Sequence, residues 1–312
     1  MFNFMFNLVE KRRTYFIFSG TIILLGIAAM IFSLVETGSL FRLGVDFRSG
    51  TRFEVQFTEL VQENDIRAVF NDFGVNNPSV IALIGEGLEN SWQIRSEFVS
   101  PETAQAIEAA LAEQVAPLVP GTTQVQSVSP SVGQEVTRAA FVAVAVAAVI
   151  ILIYIMVVFR QVPNPFRYGA CAVVAMLHDL FVIFSFAALT GVILGWEVDA
   201  LFLTAVLTVA GFSLQDTIVV FDRIRENIAK RPFEKYETLV NRSILETIHR
   251  SLATQLNAMF VMVAILLFGG ASIKPFIAAL FIGLLSGTYS SIFTAVPLLV
   301  AWEKNEIPFL KA

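Results

Sequence analysis

Residues Gly211–Asn227 read GFSLQDTIVVFDRIREN. The first half belongs to an apolar run, Ala200–Val220, of about 20 residues, the length a helix needs to cross roughly 30 Å of hydrocarbon. Asp216 stands in the inner half of that run. A charged carboxylate at such depth costs on the order of 3 kcal/mol or more, so it persists where something nearby needs it. Around it, Gly211, Ser213, Gln215 and Thr217 are small or polar. That face therefore belongs against other helices, where small residues permit close approach and polar ones bond across helices. Two readings stay open for Asp216: a proton- or ion-coupling group, and a carboxylate that holds the bundle together.

The rest of the chain supports a membrane setting. Of its 312 residues, 56% are hydrophobic, and 29 are Phe. The mean hydropathy is +0.71. Soluble domains run at roughly 45–50% apolar. Six runs emerge: Tyr15–Val35, Ala139–Phe159, Tyr168–Leu189, Ala200–Val220, Leu252–Gly270 and Phe276–Ala301, the last containing Pro297. The first follows Lys11, Arg12 and Arg13 as a signal peptide would, but it is too long for one, and no clear small-residue cleavage site closes it. It reads as a retained span. Fourteen Lys and Arg fall on one side of the spans, whereas the short loops on the other side, residues 190–199 and 271–275, carry only Lys274. The positive-inside rule then puts both termini in the cytoplasm.

Composition also excludes functions. The single cysteine, Cys171, leaves no internal disulfide or multi-cysteine metal site, and two histidines are too few for a His-rich centre. A net charge of −5 argues against a nucleic-acid face. No phosphate-loop, HExxH or GxSxG pattern occurs, so energy for any work comes from an ion gradient or a partner rather than ATP. No cofactor and no metal are expected, and no enzymatic activity.

The expected layout is residues 1–35 for the amino-terminal tail and first span, 36–133 for a domain outside the membrane, 134–302 for spans two to six, and 303–312 for a cytoplasmic tail. Residues 36–133 carry 13 Asp and Glu against 5 Arg and no Lys. Strand-like alternation appears at 52–57, 79–84, 92–98 and 123–128, with helical patterns at 59–73 and 101–116. Ser100, Pro101 and Glu102 make a helix start. The order β-α-β-β-α-β is that of the ferredoxin-like motif. The fold class expected is therefore a mainly α membrane protein, a six-helix bundle with a small ferredoxin-like α/β domain in its first loop. Residues 222–250 show apolar positions at helical spacing between charges, which predicts one or two helices lying along the membrane surface and broken at Pro232.

Few ionisable groups enter the spans. Arg250, at the mouth of the fifth run in HRSLATQLN, is the natural counter-charge for Asp216, or else an ordinary positive-inside anchor. Ser251, Thr254, Gln255 and Asn257 continue a polar face inward from it. His178 and Asp179 sit mid-span in the third run. Adjacent helical residues point about 100° apart, so the two are not expected to face each other. Asp179 is either a functional acid or a structural polar contact with the fourth helix.

Several stretches together resemble the SecD/SecF family of protein-export membrane proteins, and its SecF members in particular, across nearly the whole chain. Leu43–Thr51, LGVDFRSGT, is similar to the family's LGxDFxGGT through Gly44, Asp46, Gly50 and Thr51. Leu177–Asp179, LHD, resembles its third-helix signature. Gly211–Asn227 resembles GYSLNDTxVVxDRIREN, and Glu246–Leu256, ETIHRSLATQL, resembles QTxxRTxxTS. Phe268–Gly270, FGG, ends the fifth run as the family does. The resemblance implies half of a bundle of the resistance-nodulation-division type. It also implies pairing with SecD beside the SecYEG translocon, with YajC as a further partner, to move unfolded preproteins across the bacterial inner membrane using the proton-motive force. It makes Asp216 and Arg250 the coupling residues; Asp179, His178, Gln215, Thr217 and Thr254 are candidates for support read from the sequence itself. Membrane lipids are the surroundings and nucleic acid is no partner. Gln215 in place of Asn, Ser49 in place of the first Gly, and Gln255 and Asn257 in the fifth run depart from the pattern. The competing reading is half of an ion-coupled exporter of small molecules or lipids.

Overall fold

The computed structural model describes residues 7–83 and 88–306. Its helices and strands, in order, are α1 (Arg12–Thr37), α2 (Val45–Arg48), β1 (Gly50–Gln56), α3 (Glu63–Asp72), β2 (Ser79–Ala82), β3 (Ser91–Ser96), α4 (Pro101–Gln114), β4 (Gln124–Val128), α5 (Pro130–Val158), α6 (Pro165–Ile193), α7 (Ala200–Lys230), α8 (Tyr236–Phe268), α9 (Lys274–Ser290) and α10 (Val296–Glu303). Residues Leu43–Phe141 form one compact unit and the helical remainder another.

The smaller unit is a four-stranded sheet in the order β2-β3-β1-β4, each neighbour antiparallel. Its elements follow the expected sequence of strands and helices. The expected second strand ran to Ile84, which lies outside the described residues. One face of the sheet is apolar because alternate residues point the same way. Phe53, Val55, Val80 and Ile94 from the strands meet Ile66, Phe70, Ile107 and Leu111 from α3 and α4. Phe53 and Phe70 make an edge-to-face pair at 5.1 Å. Ser100 caps α4 by accepting from the Thr103 amide at 3.2 Å, with Pro101 in its first turn.

Among the described residues, six helices are long and apolar enough to cross a membrane: α1, α5, α6, α7, α8 and the continuous run Lys274–Glu303. Asp199 caps α7 through the Phe202 amide at 2.8 Å. α6 and α7 pack on one another and on α9. Exposed aliphatic and aromatic side chains, among them Ile17, Leu24, Ile150, Phe260 and Leu267, cover the outer faces of α1, α5 and α8, as lipid contact requires.

Two expectations are corrected. Residues 222–250 do not form separate surface helices. Residues 222–230 prolong α7 without interruption, and 236–250 begin α8. The break comes at residues 231–235, around Pro232. The apolar stripe is buried: Ile224 meets Leu239, Val240 and Ile244 in the core of the bundle. An amphipathic period reports that one face is covered and not by what. The second span starts earlier than expected, at Pro130 rather than Ala139. The last span changes pitch, with a π-helical turn at Ser291–Ala295 between α9 and α10. Pro297 explains it, since proline has no amide hydrogen and its ring crowds the carbonyl four residues back.

Candidate functional site

Asp216 lies on the buried face of α7 and is 3% exposed. Gln255 of α8, also buried, donates from Nε2 to its Oδ2 at 2.7 Å. Gln255 sits one turn after Ser251, whose hydroxyl is also close enough to Asp216 to bond to it, while Gln255 Oε1 is buried without a hydrogen-bond partner among the described residues.

Arg250 lies close enough to act on Asp216 through space but does not touch it. Among the described residues no ion pair joins it to Asp216, and its side chain is exposed. It lines an open cavity of ≈ 560 Å³ between α7, α8 and the end of α5. The other charges there are matched: Arg223 bonds Glu246 and Glu226, each at 2.6 Å, and Arg225 bonds Asp222 at 2.5 Å. In this state the arginine is thus a cation at the mouth of the site, and the amide of Gln255 holds the carboxylate. Of the residues read as support, Gln215 faces outward and Thr254 bonds its own helix at the Arg250 carbonyl, 2.9 Å away. Thr217 is buried beside Asp216 but also bonds its own helix, at the Ser213 carbonyl, 3.1 Å away.

A second acidic site lies one turn away. Asp179 on α6 is 0% exposed. Its Oδ2 accepts from Ser213 of α7 at 2.5 Å and from Ser290 of α9 at 2.6 Å. Its Oδ1 accepts from Ser286 of α9 at 2.6 Å and lies 3.2 Å from His178 Nδ1. The contact with the fourth helix anticipated from sequence is there, with two more from the last helix. The expectation that His178 and Asp179 do not meet is wrong. The 100° separates their Cβ directions, but Nδ1 and the carboxylate both sit close to the backbone, and a ring turned along the helix closes the gap.

Sequence reading missed Ser286, Ser290, Gly283 and Gly287. The small-residue repeat GLLSG at Gly283–Gly287 was the available signal. A Cβ on Gly287 would sit 3.2 Å from Ser213 Cβ, so the bare glycine is what lets α9 bring its serines to Asp179.

The first-loop motif is built into the smaller unit. Asp46 accepts from Gln126 Nε2 at 2.6 Å, and Gly44 precedes α2 and accepts its first amides. Thr51 Oγ1 accepts from the Val99 amide at 3.1 Å and pairs with Ser127 Oγ at 2.7 Å. Gly50 has φ +127°, and a Cβ there would strike the Ser96 carbonyl, so no other residue fits. Ser49, where the family has a first glycine, takes φ 61° with ψ 166°, a region that glycine favours and that costs a residue with a Cβ on the order of 1–3 kcal/mol.

Six spanning helices around buried, hydrogen-bonded acids define a multi-pass membrane protein that keeps ionisable groups inside its bundle. Residues 107–305 match the protein export membrane protein SecD/SecF, C-terminal family, and residues 41–59 match the SecD/SecF GG motif. The protein translocase subunit SecF of Thermobaculum terrenum is 42% identical over 97% of this chain and 95% of its own length. The protein translocase subunit SecDF of Bacillus subtilis is 33% identical over 96% of this chain, which spans only 38% of that longer protein. The crystal structure of SecDF, a translocon-associated membrane protein from Thermus thermophilus, superposes with TM-score 0.77 at 28% identity, over 96% of this chain and 39% of that one. The chain belongs to the SecD/SecF family of protein-export membrane proteins and is an accessory translocase subunit.

Proposed function

We propose that this subunit couples the proton-motive force to preprotein export, with Asp216 as the group whose proton occupancy changes during the cycle. The observation that carries the reading is a buried carboxylate on α7 met by the amide of Gln255 and the hydroxyl of Ser251 on α8, with the Arg250 cation nearby. Arg250 at the mouth of the adjoining cavity supplies the cation toward which an ionised Asp216 is drawn in another state. Protonation removes that attraction, and α7 and α8 shift against each other. Gly44, Asp46, Gly50 and Thr51 hold the first-loop domain in shape.

The working assembly in this reading is a complex with SecD beside SecYEG in the bacterial inner membrane, with YajC attached. Both termini are cytoplasmic, and the domain of residues 36–133 meets the unfolded preprotein on the outer face. The chain works as a transport subunit within the lipid bilayer rather than as an enzyme. The SecDF relatives, in which a chain like this one is joined to a longer partner sequence, support the pairing. The test is export from ATP-depleted membrane vesicles with an imposed proton gradient. Asp216→Asn abolishes the gradient-dependent part while the complex assembles; full gradient dependence in that variant rejects the reading.

A further inference from the structure

We propose that Asp179, with His178, is a second protonation site of the bundle, working in series with Asp216. This inference rests on the gradient-coupled reading above. It starts from the hydrogen-bond count. Each oxygen of Asp179 has two partners, and three of the four are serine hydroxyls at 2.5–2.6 Å, the length of a charge-assisted O–H···O⁻ bond. The fourth is His178 Nδ1, a donor when that nitrogen carries its hydrogen. His178 Nε2 is buried and has no hydrogen-bond partner among the described residues, so the pair keeps one unused polar position.

Adding a proton to Oδ2 turns that oxygen from an acceptor of two bonds into a donor. One of its two serines must then rotate to accept. Ser290 has somewhere to send its own hydrogen, because the Gly287 carbonyl lies 3.4 Å from its Oγ. Protonation therefore reverses the bond between Asp179 and Ser290, with Oδ2 now donating across to α9, and turns the serine hydrogen onto a carbonyl of its own helix. The π-helical turn begins at the next residue, Ser291, where the backbone already departs from regular pitch. Ser213, the other serine on Oδ2, precedes Asp216 by three residues on α7, so the two acids act on adjacent turns of one helix. Among the ionisable side chains near the pair, Asp216 stands three residues along α7 from Ser213, Tyr289 on α9 has its ring 6.2 Å from that of His178, and the carbonyl of Tyr15 on α1 accepts from the Tyr289 hydroxyl.

The test uses membrane vesicles carrying the full complex, with gradient-driven export followed across a pH series. Asp179→Asn keeps shape and removes the charge. It is expected to assemble, to melt near the parent, and to lose the gradient-dependent rate by about tenfold or more, within the usual range of coupling free energies. The double variant with Asp216→Asn is expected to be no weaker than either single one, as groups in series require. His178→Gln leaves Asp179 and its serines in place and is expected to move the pH midpoint of export. This second variant decides the matter should Asp179→Asn fail to assemble. A parental rate and pH profile in Asp179→Asn, with only the melting temperature changed, or an unmoved midpoint in His178→Gln, overturns the proposal. Asp216→Asn in the same vesicles separates the two readings. If it alone loses coupling, only the second site falls; if it too keeps full gradient dependence, the coupled reading itself falls.

Discussion

Gln255 Nε2 reaches Asp216 Oδ2 at 2.7 Å across the α7–α8 contact, and the buried acid takes its direct bonds from α8 while Arg250 acts on it from farther off. Removing a donor from a buried charged acceptor costs about 1–3 kcal/mol. Gln255→Leu keeps the volume and deletes the bond. The expected outcome is an assembled complex whose gradient-driven export falls by about tenfold, the equivalent of about 1.4 kcal/mol. Export at the parental rate would mean the amide is incidental.

Among the described residues Arg250 makes no ion pair at contact distance, although the neighbouring arginines Arg223 and Arg225 do. If it meets Asp216 elsewhere in the cycle, its charge matters more than its shape. Arg250→Lys should retain much of the gradient-driven rate, and Arg250→Gln should lose about as much as Asp216→Asn. Equal rates in the Lys and Gln variants, measured in the same vesicles, would contradict a charge role.

Gly283 sets how closely α9 approaches its neighbours. A Cβ there would lie 2.8 Å from both Ile183 Cδ1 and Val209 Cγ1. Both contacts are with branched side chains packed in the bundle, so the helices have to part. Overpacking of this kind costs about 1–3 kcal/mol. Gly283→Ala should lower the melting temperature of the detergent-solubilised protein by several degrees. An unchanged melt would show that α9 moves aside freely.

How much of this was legible in the sequence depends on range. The six spans were visible because a bilayer fixes the length of an apolar run, and Asp216 because a carboxylate inside such a run has no cheap explanation. The Gly44–Thr51 stretch was visible as a pattern, and the left-handed φ at Gly50 gives its glycine a reason. The partners of Asp179 were not visible. Ser286 and Ser290 lie more than 100 residues along the chain, and nothing local says that a serine in an apolar helix faces an acid rather than bonding its own backbone. The ends of α7 and α8 were misjudged for a related reason. Residues 222–250 carry a face that must be covered, and covering by a second helix looks the same in sequence as covering by lipid headgroups.

The smaller unit makes a separate prediction. Phe53 is fully buried on β1, paired edge-on with Phe70 and surrounded by Ile66, Ile94 and Leu111. Replacing such a ring with a methyl leaves a cavity, and Phe→Ala changes of this kind cost about 3–5 kcal/mol. Phe53→Ala should make residues 43–141 sensitive to limited proteolysis while the spanning helices stay protected. Cleavage no faster than in the parent would mean that the sheet's core tolerates the loss.

The last prediction concerns pH. Arg12 at the start of α1 donates to Glu306, just past α10, at 2.9 and 2.6 Å. It also pairs with Glu237 of α8 at 3.1 Å, and Lys304 pairs with the same Glu237 at 2.5 Å, so four charges tie three helix ends together. The hydrogen bonds from Arg12 hold the Glu306 carboxyl below its ordinary range. A depressed carboxyl stabilises the folded state at pH values above its unfolded value, and that contribution disappears as the pH falls through the lower folded value. The window opens at about pH 4, where an unperturbed glutamate begins to take up its proton. Glu306 is 39% exposed, so solvent and salt screen the effect and keep it small. Melting temperatures of the parent and of Glu306→Gln should therefore differ modestly at neutral pH and converge in acid. Curves that stay parallel down through the acid range would show that the Arg12–Glu306 bond adds nothing to the stability of the bundle.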